Sequence, residues 1–256
     1  MKRYDEIVKN LQYIFPYLNR LPIYDICDHW DKDILNAILT NKEMVIDVIT
    51  TLQHLPPPEE LSETKLPEHK QREKIVSVVF DIRSSQHLLD TLKPNQFFEF
   101  LISFVLTAKE KLFSKEYKGI YDKFTGDGLI VHFSKNMSGN TFADKAIKYS
   151  KEVIGTSVNI LNEIFTQMSI NYSKDVGVCA GIDYGEIMWL RNGVELTPVG
   201  QSIVYAHRLC SEASKGEILV NNLAYNKITK GIFNFNDKDI KPKGFKKRFK
   251  VYKLCS

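Results

Sequence analysis

Two hydrophobic rhythms alternate along this chain, and their switch points divide it. Up to residue 54 apolar residues recur three and four apart, at Ile7, Leu11, Ile14 and Leu18 and again at Ile34, Ile38, Val45, Ile49 and Leu52, which predicts helices. Leu55-Pro-Pro-Pro-Glu-Glu60 stops that pattern, because each proline lacks the N–H a helix needs. Residues 1–54 are therefore read as a helical N-terminal extension, 55–73 as a linker, and 74–256 as the main domain. In that domain Ile75 to Asp81 is a continuous apolar run of the buried-strand type, and Pro94 to Phe113 is a helix opened by proline. Gly119 to Phe133 reads as a β-hairpin with Gly126-Asp127-Gly128 at its tip, and Phe142 to Phe165 as a long helix carrying Ala146, Val153, Val158 and Ile164. A strand over Val176–Asp183 follows, then a short two-stranded arm from Met188 to Leu196 around Asn192-Gly193. A helix over Gln201–Glu212, with Ile203, Ala206 and Leu209 apolar, precedes a strand over Glu217–Val220. Strands and helices that alternate around an antiparallel hairpin predict an α+β sandwich.

Composition narrows the class. At 256 residues and 43% hydrophobic, the chain has enough apolar side chains for a substantial core. No apolar run approaches the ~18 residues that span a bilayer, and the N-terminal Met-Lys-Arg-Tyr-Asp-Glu lacks a signal-peptide apolar region, so a soluble cytoplasmic protein without a membrane partner is expected. Cys27, Cys179, Cys210 and Cys255 form no Cys-x-x-Cys pair, which favours free buried thiols over zinc or disulfides. His87, His132 and His207 have no ligand-like spacing and read as packing or surface residues. The net charge is +4, and the lysines crowding residues 238–253 read as a solvated edge strand guarded by positive charge, with no nucleic acid expected.

The chemistry is carried by two aspartates. Asp81 ends the run Val78-Val-Phe-Asp81, and Asp127 stands between two glycines. Either alone could cap or bond backbone. Together, at adjacent strand ends, they form a carboxylate pair suited to hard divalent cations, which prefer oxygen ligands.

The motifs Val78-Val-Phe-Asp81-Ile-Arg83, Lys123-Phe-Thr-Gly-Asp127-Gly, Val176-Gly-Val-Cys-Ala-Gly181-Ile-Asp-Tyr-Gly185-Glu, Pro198-Val-Gly200 through Ala206-His-Arg208-Leu, and Ala213-Ser-Lys-Gly216-Glu follow in that order. The ordered set resembles the class III nucleotidyl cyclase catalytic domain over roughly residues 74–253. The resemblance implies a ferredoxin-like βαββαβ core and two Mg²⁺ or Mn²⁺ ions held by Asp81, Asp127 and the carbonyl of Ile82. It also implies that Arg208 stabilises charge on the α-phosphate and that Lys243 lies near the triphosphate. Backbone amides from Arg83 to Gln86, including Ser84 and Ser85, could cradle phosphate oxygens at a helix start. Family sites form between two subunits, so a homodimer with two equivalent shared sites is implied.

Base selection departs from the purine cyclases. Adenylate cyclases typically carry a lysine four residues before the second aspartate, an aspartate three before Gly200, and an asparagine four before the arginine; here these positions are Lys123, Thr197 and Val204. Lysine only donates hydrogen bonds, whereas threonine both donates and accepts, so Lys123 and Thr197 suit uracil but also adenine. A catalytic domain with a short helical extension is similar to the pyrimidine cyclases of Pycsar antiphage systems, whose cyclic UMP or cyclic CMP activates a separate effector. The favoured expectation is a uridylate cyclase acting on UTP. Adenylate cyclase, cytidylate cyclase and an inactive nucleotide-binding module are the alternatives.

Overall fold

Strand β1 (Arg72–Arg83) is central because its run Ile75–Phe80 is buried on both faces of a sheet. In this computed structural model, residues 68–92, 94–167, 169, 175–192, 195–242 and 248–255 are described. The expected N-terminal helices, most of the linker, Gly193 and Lys243 lie outside them. After β1 come α1 (Ser85–Thr91), α2 (Pro94–Phe113), β2 (Ile120–Phe124), β3 (Gly128–Ser134), α3 (Lys135–Ser138) and α4 (Phe142–Gln167). They are followed by β4 (Gly177–Asn192), β5 (Glu195–Gly200), α5 (Gln201–Glu212), β6 (Ile218–Asn221), α6 (Asn222–Tyr225), β7 (Phe235–Ile240) and β8 (Phe249–Leu254).

β1 pairs antiparallel with β3 on one side and β4 on the other, and the sheet runs β2-β3-β1-β4-β6-β8-β7. Its first four strands, connected β-α-β-β-α-β, have the ferredoxin-like arrangement expected. The alternation of β1 assigns the two faces. Val76, Val78, Phe80 and Ile82 join the main core under α2 and α4, where Phe97, Phe100, Leu101, Phe104 and Val105 follow the three-and-four spacing of a helix stripe. Truncating one such buried aromatic, as in Phe100→Ala, costs roughly 3–5 kcal/mol. Val79 faces the other way, packing with Ile130, Cys179 and Leu219 beneath Ala206, Leu209 and Cys210 of α5. Gly181 makes this close approach feasible, since a Cβ there would collide with the backbone of Ala206 and Cys210.

Where two elements were expected between Val176 and Leu196, a strand and then an arm, one strand of 16 residues runs through both. Gly185 does not break it, and β5 folds back onto Ile187–Asn192. The arm curls over the α5 face, because β5 touches β2 although three strands separate them in the sheet. Ile75, Ile120, Met137, Ile187 and Trp189 fill the space beneath it. The lysine run matches expectation only in part, with Lys238 on the edge strand. β7 is the edge, but Lys250 and Lys253 belong to β8, one strand in, and Lys238 and Lys253 converge on the buried carboxylate of Glu217 at 2.7 and 3.1 Å. Cys179 and Cys210 are free buried thiols, while Cys255 is only half-buried. Among the described residues no helix is long and apolar enough to cross a membrane.

Candidate active site

The hairpin tip delivers Asp127 to the end of β1. Asp81 pairs with Gly128, and the Ile82 N–H donates to the Asp127 carbonyl at 3.0 Å. The connection is a three-residue loop closed by Thr125 N–H donating to the Gly128 carbonyl at 2.9 Å. Both glycines are required: Gly126 adopts φ 96°, and a Cβ at Gly128 would collide with the Phe80 carbonyl. The Gly-Asp-Gly signature therefore encodes a tight approach of the hairpin to β1.

Once brought together, the carboxylates repel. Asp81 is pushed from 3.8 up to about 6, first by burial and then by the Asp127 charge, with Arg83 acting in the opposite direction. Arg83 Nη1 lies 3.3 Å from Asp81 Oδ2, its Nε donates to Cys179 Sγ at 3.1 Å, and its Nη2 donates to the Cys210 carbonyl in the last turn of α5. Asp127 accepts from Ser85 Oγ at 3.0 Å. Ser84, between them, is exposed and left-handed at φ 55°, where the chain turns from strand into α1. Among the described residues no group of three or more His, Cys, Asp or Glu could hold an ion alone. Two under-neutralised carboxylates beside backbone carbonyls do fit a divalent ion that keeps water or phosphate oxygens among its ligands.

The predicted nucleotide-facing residues gather elsewhere. Tyr121 pairs with Val131 and Lys123 with Ile130, so Asp122 is the extra residue of a β-bulge. Strict alternation would put Lys123 on the face of Tyr121, toward the main core. The bulge moves Lys123 to the face of Ile130, where α5 lies, and leaves Phe124 buried in the main core. The His207 imidazole on α5 is held below its ordinary value by burial and then by the Lys123 charge, with Arg208 adding in the same sense. Lys123 and Arg208 thus both lie near enough to His207 to disfavour its protonated form. Thr197 pairs with Leu190 in the arm, on the strand that touches β2. On α5, Val204 and Arg208 are exposed and His207 keeps part of its surface open while its ring is partly covered, whereas Ala206, Leu209 and Cys210 face the sheet. Tyr205 is half-buried, its ring edge to face with Phe249.

The chain therefore brings together Asp81, Asp127, Ser85 and Arg83 as one cluster and Lys123, His207 and Arg208 as another. Among the described residues no hydrogen bond or ion pair joins Arg208 to either aspartate; Arg83 takes that place on Asp81. From the sequence alone Arg83 has only a backbone role; the signal for its side chain was its spacing two residues beyond Asp81, on the same face of the strand.

No family model and no curated relative matches the chain. Among solved structures it is similar to the adenylyl cyclase CyaB from P. aeruginosa, at 24% identity over 73% of this chain and 95% of that one, with a TM-score of 0.64. It is similar to a guanylyl cyclase at 18% identity, over 73% of this chain and 94% of the other, with a TM-score of 0.63. A third is the guanylate cyclase domain of RhGC from Catenaria anguillulae, solved in complex with GTP, at 17% identity over 73% and 98% with a TM-score of 0.54. The βαββαβ core, the hairpin-borne Asp127 at the end of β1 and these likenesses agree: the described chain has the class III nucleotidyl cyclase fold.

Proposed function

We propose that the protein is a nucleotidyl cyclase that converts a nucleoside triphosphate into its 3′,5′-cyclic monophosphate and diphosphate. The observation that carries this reading is the meeting of Asp81 and Asp127 at the end of β1, with the Asp81 carboxyl raised to about 6 by burial and by its neighbour. Asp81, Asp127 and the Ile82 carbonyl would hold two divalent cations, Mn²⁺ or Mg²⁺. Such ions, when bound, lower the pKa of the attacking 3′-hydroxyl and offset the triphosphate charge. Arg83 and Ser85 keep the two carboxylates apart and oriented. Arg208 stabilises the charge that develops on the α-phosphate, and Lys243 grips the triphosphate. Class III cyclase sites form between two subunits, so Arg208 would lie across a two-fold from the partner's metal site in a homodimer with two shared sites, and the lack of a bond from Arg208 to Asp81 or Asp127 of its own chain fits that arrangement.

For the base we favour uracil. Thr197 at the aspartate position and Val204 at the asparagine position leave the purine-type set incomplete, as in the pyrimidine cyclases this chain resembles, among which cyclic UMP is the common product, while Lys123 and Thr197 by themselves suit adenine as well. A uridylate cyclase of this plan would act in Pycsar-type antiviral defence, its cyclic UMP acting on a separate effector. Retention of Lys123 supports adenylate cyclase as the second reading. Incubating the purified protein with Mn²⁺ and each of the four ribonucleoside triphosphates, with products identified by mass, tests both levels. Cyclic UMP as the main product is expected. Cyclic AMP without cyclic UMP overturns the base assignment, and no cyclic product from any of the four overturns the enzyme.

A further inference from the structure

Lys123, Thr197 and Arg208 stand on three different elements, and one buried imidazole reaches parts of all three. His132 is fully buried on β3, facing α5. Its Nε2 lies 3.3 Å from Asp122 Oδ2, on the bulge immediately before Lys123, and the Asp122 side chain is only 4% exposed. Its Nδ1 lies 3.2 Å from Ser77 Oγ, which lies 3.3 Å from Ser202 Oγ in the first turn of the helix that carries Arg208. Its ring meets Trp189 edge to face at 5.7 Å, and Trp189 pairs with Pro198, the residue after Thr197.

The proton positions follow from the inventory of donors. A carboxylate only accepts, so Nε2 carries the proton and donates to Asp122. Ser77 Oγ, which can both donate and accept, bridges Nδ1 and Ser202 Oγ. Every group in the chain Asp122–His132–Ser77–Ser202 is thereby paired, which a buried carboxylate requires. The bulge gives up one step of regular pairing between β2 and β3, and in doing so it keeps both Tyr121 and Phe124 on the main-core face. It also turns Lys123 from the core face to the α5 face, with Asp122 anchored inward on His132.

We propose that Asp122 and His132 are positioning residues for base selection: they pin the bulge that aims Lys123 at the nucleotide and tie it to α5 and the arm. The proposal rests on the cyclase reading above. Its test is a double-mutant cycle in the full-length chain, scored by the ratio of kcat/KM for the preferred nucleotide to that for the others, with Mn²⁺ present. Asp122→Ala should lower that discrimination about tenfold, chiefly through KM. Asp122→Asn, whose amide oxygen still accepts from Nε2–H, should retain most of it. In a Lys123→Ala background, Asp122→Ala should change discrimination no further, because the residue it positions is gone. His132→Phe should behave like Asp122→Ala, and the Asp122 cycle decides the matter if the His132 variant does not fold.

A merely structural role for Asp122 would weaken the protein equally in both backgrounds. Additive losses in the double variant, or unchanged discrimination in a folded Asp122→Ala protein, therefore overturn the proposal while leaving the cyclase intact. A wild type that cyclises none of the four nucleotides overturns the cyclase reading, and this role with it.

Discussion

Replacing Asp81 by asparagine in metal-free protein should stabilise the fold at neutral pH, contrary to the usual effect of removing a partly buried ion-paired group. The carboxyl rises from 3.8 to about 6, through burial first and the Asp127 charge second, with Arg83 opposing. A carboxyl whose folded pKa exceeds its unfolded value contributes stability fully below about pH 3.8 and loses it as pH rises through about 6. At pH 8 the ionised group thus costs ~3 kcal/mol at 1.36 kcal/mol per pKa unit. A third of the side chain is exposed, at 33%, and solvent screening reduces that figure to ~1–2 kcal/mol. Asparagine mimics the protonated form, so Asp81→Asn should raise Tm by about 2–8 °C at pH 8 and by about 1 °C or less at pH 4. The assay is thermal melting in chelator across that range, repeated at pH 8 with Mn²⁺. The ion should raise the wild-type Tm by binding the folded state and should raise the Tm of the variant much less. A variant less stable than wild type at pH 8 in chelator would refute the repulsion argument. An undiminished Mn²⁺ shift in the variant would refute Asp81 as a ligand.

If Arg208 has the transition-state role proposed for it, Arg208→Ala should lower kcat by about 10²–10³ with little change in KM; steady-state kinetics showing raised KM and unchanged kcat would make Arg208 an ordinary phosphate-binding residue. Mixing inactive Asp127→Ala chains with inactive Arg208→Ala chains should restore one good site per mixed dimer, and no recovery after confirmed subunit exchange would contradict a shared site. Asp183, 2% exposed with Oδ1 unpartnered, is raised to about 6 by burial despite bonds from the Tyr184 backbone and Asn221. The stability of Asp183→Asn relative to wild type should therefore climb by roughly 2–3 kcal/mol between pH 4 and pH 8, a difference in which any pH-independent penalty cancels. Parallel denaturation profiles for the two proteins would sink that reasoning.

Much of the architecture was legible before folding was considered. The helix over Pro94–Phe113 and that over Gln201–Glu212 have the expected bounds, and the long helix extends only from Phe165 to Gln167. Their apolar stripes repeat within a few residues, so periodicity alone reveals them. The Gly126-Asp127-Gly128 turn was equally visible, because left-handed backbone and close approach to β1 leave few residue types but glycine. The continuity of β4 was not visible. The local pattern reads as a strand ending at Asp183 and a separate arm from Met188, yet the strand runs on between them because Tyr184, Gly185, Glu186 and Ile187 stay paired with β1.

The order of residues by itself thus determines the helices, the hairpin and the two aspartates that one strand end and one turn bring together, since each depends on chemistry within a few positions. Only the tertiary structure decides where Lys123 points, which arginine neutralises Asp81 and why His132 is buried. The physical reason is parity and distance. One unpaired residue at Asp122 reverses the facing of every later side chain in β2, and its anchor, His132, comes from the next strand. Arg83, likewise, finds its remaining partners on β4 and α5, 96 and 127 residues further along the chain.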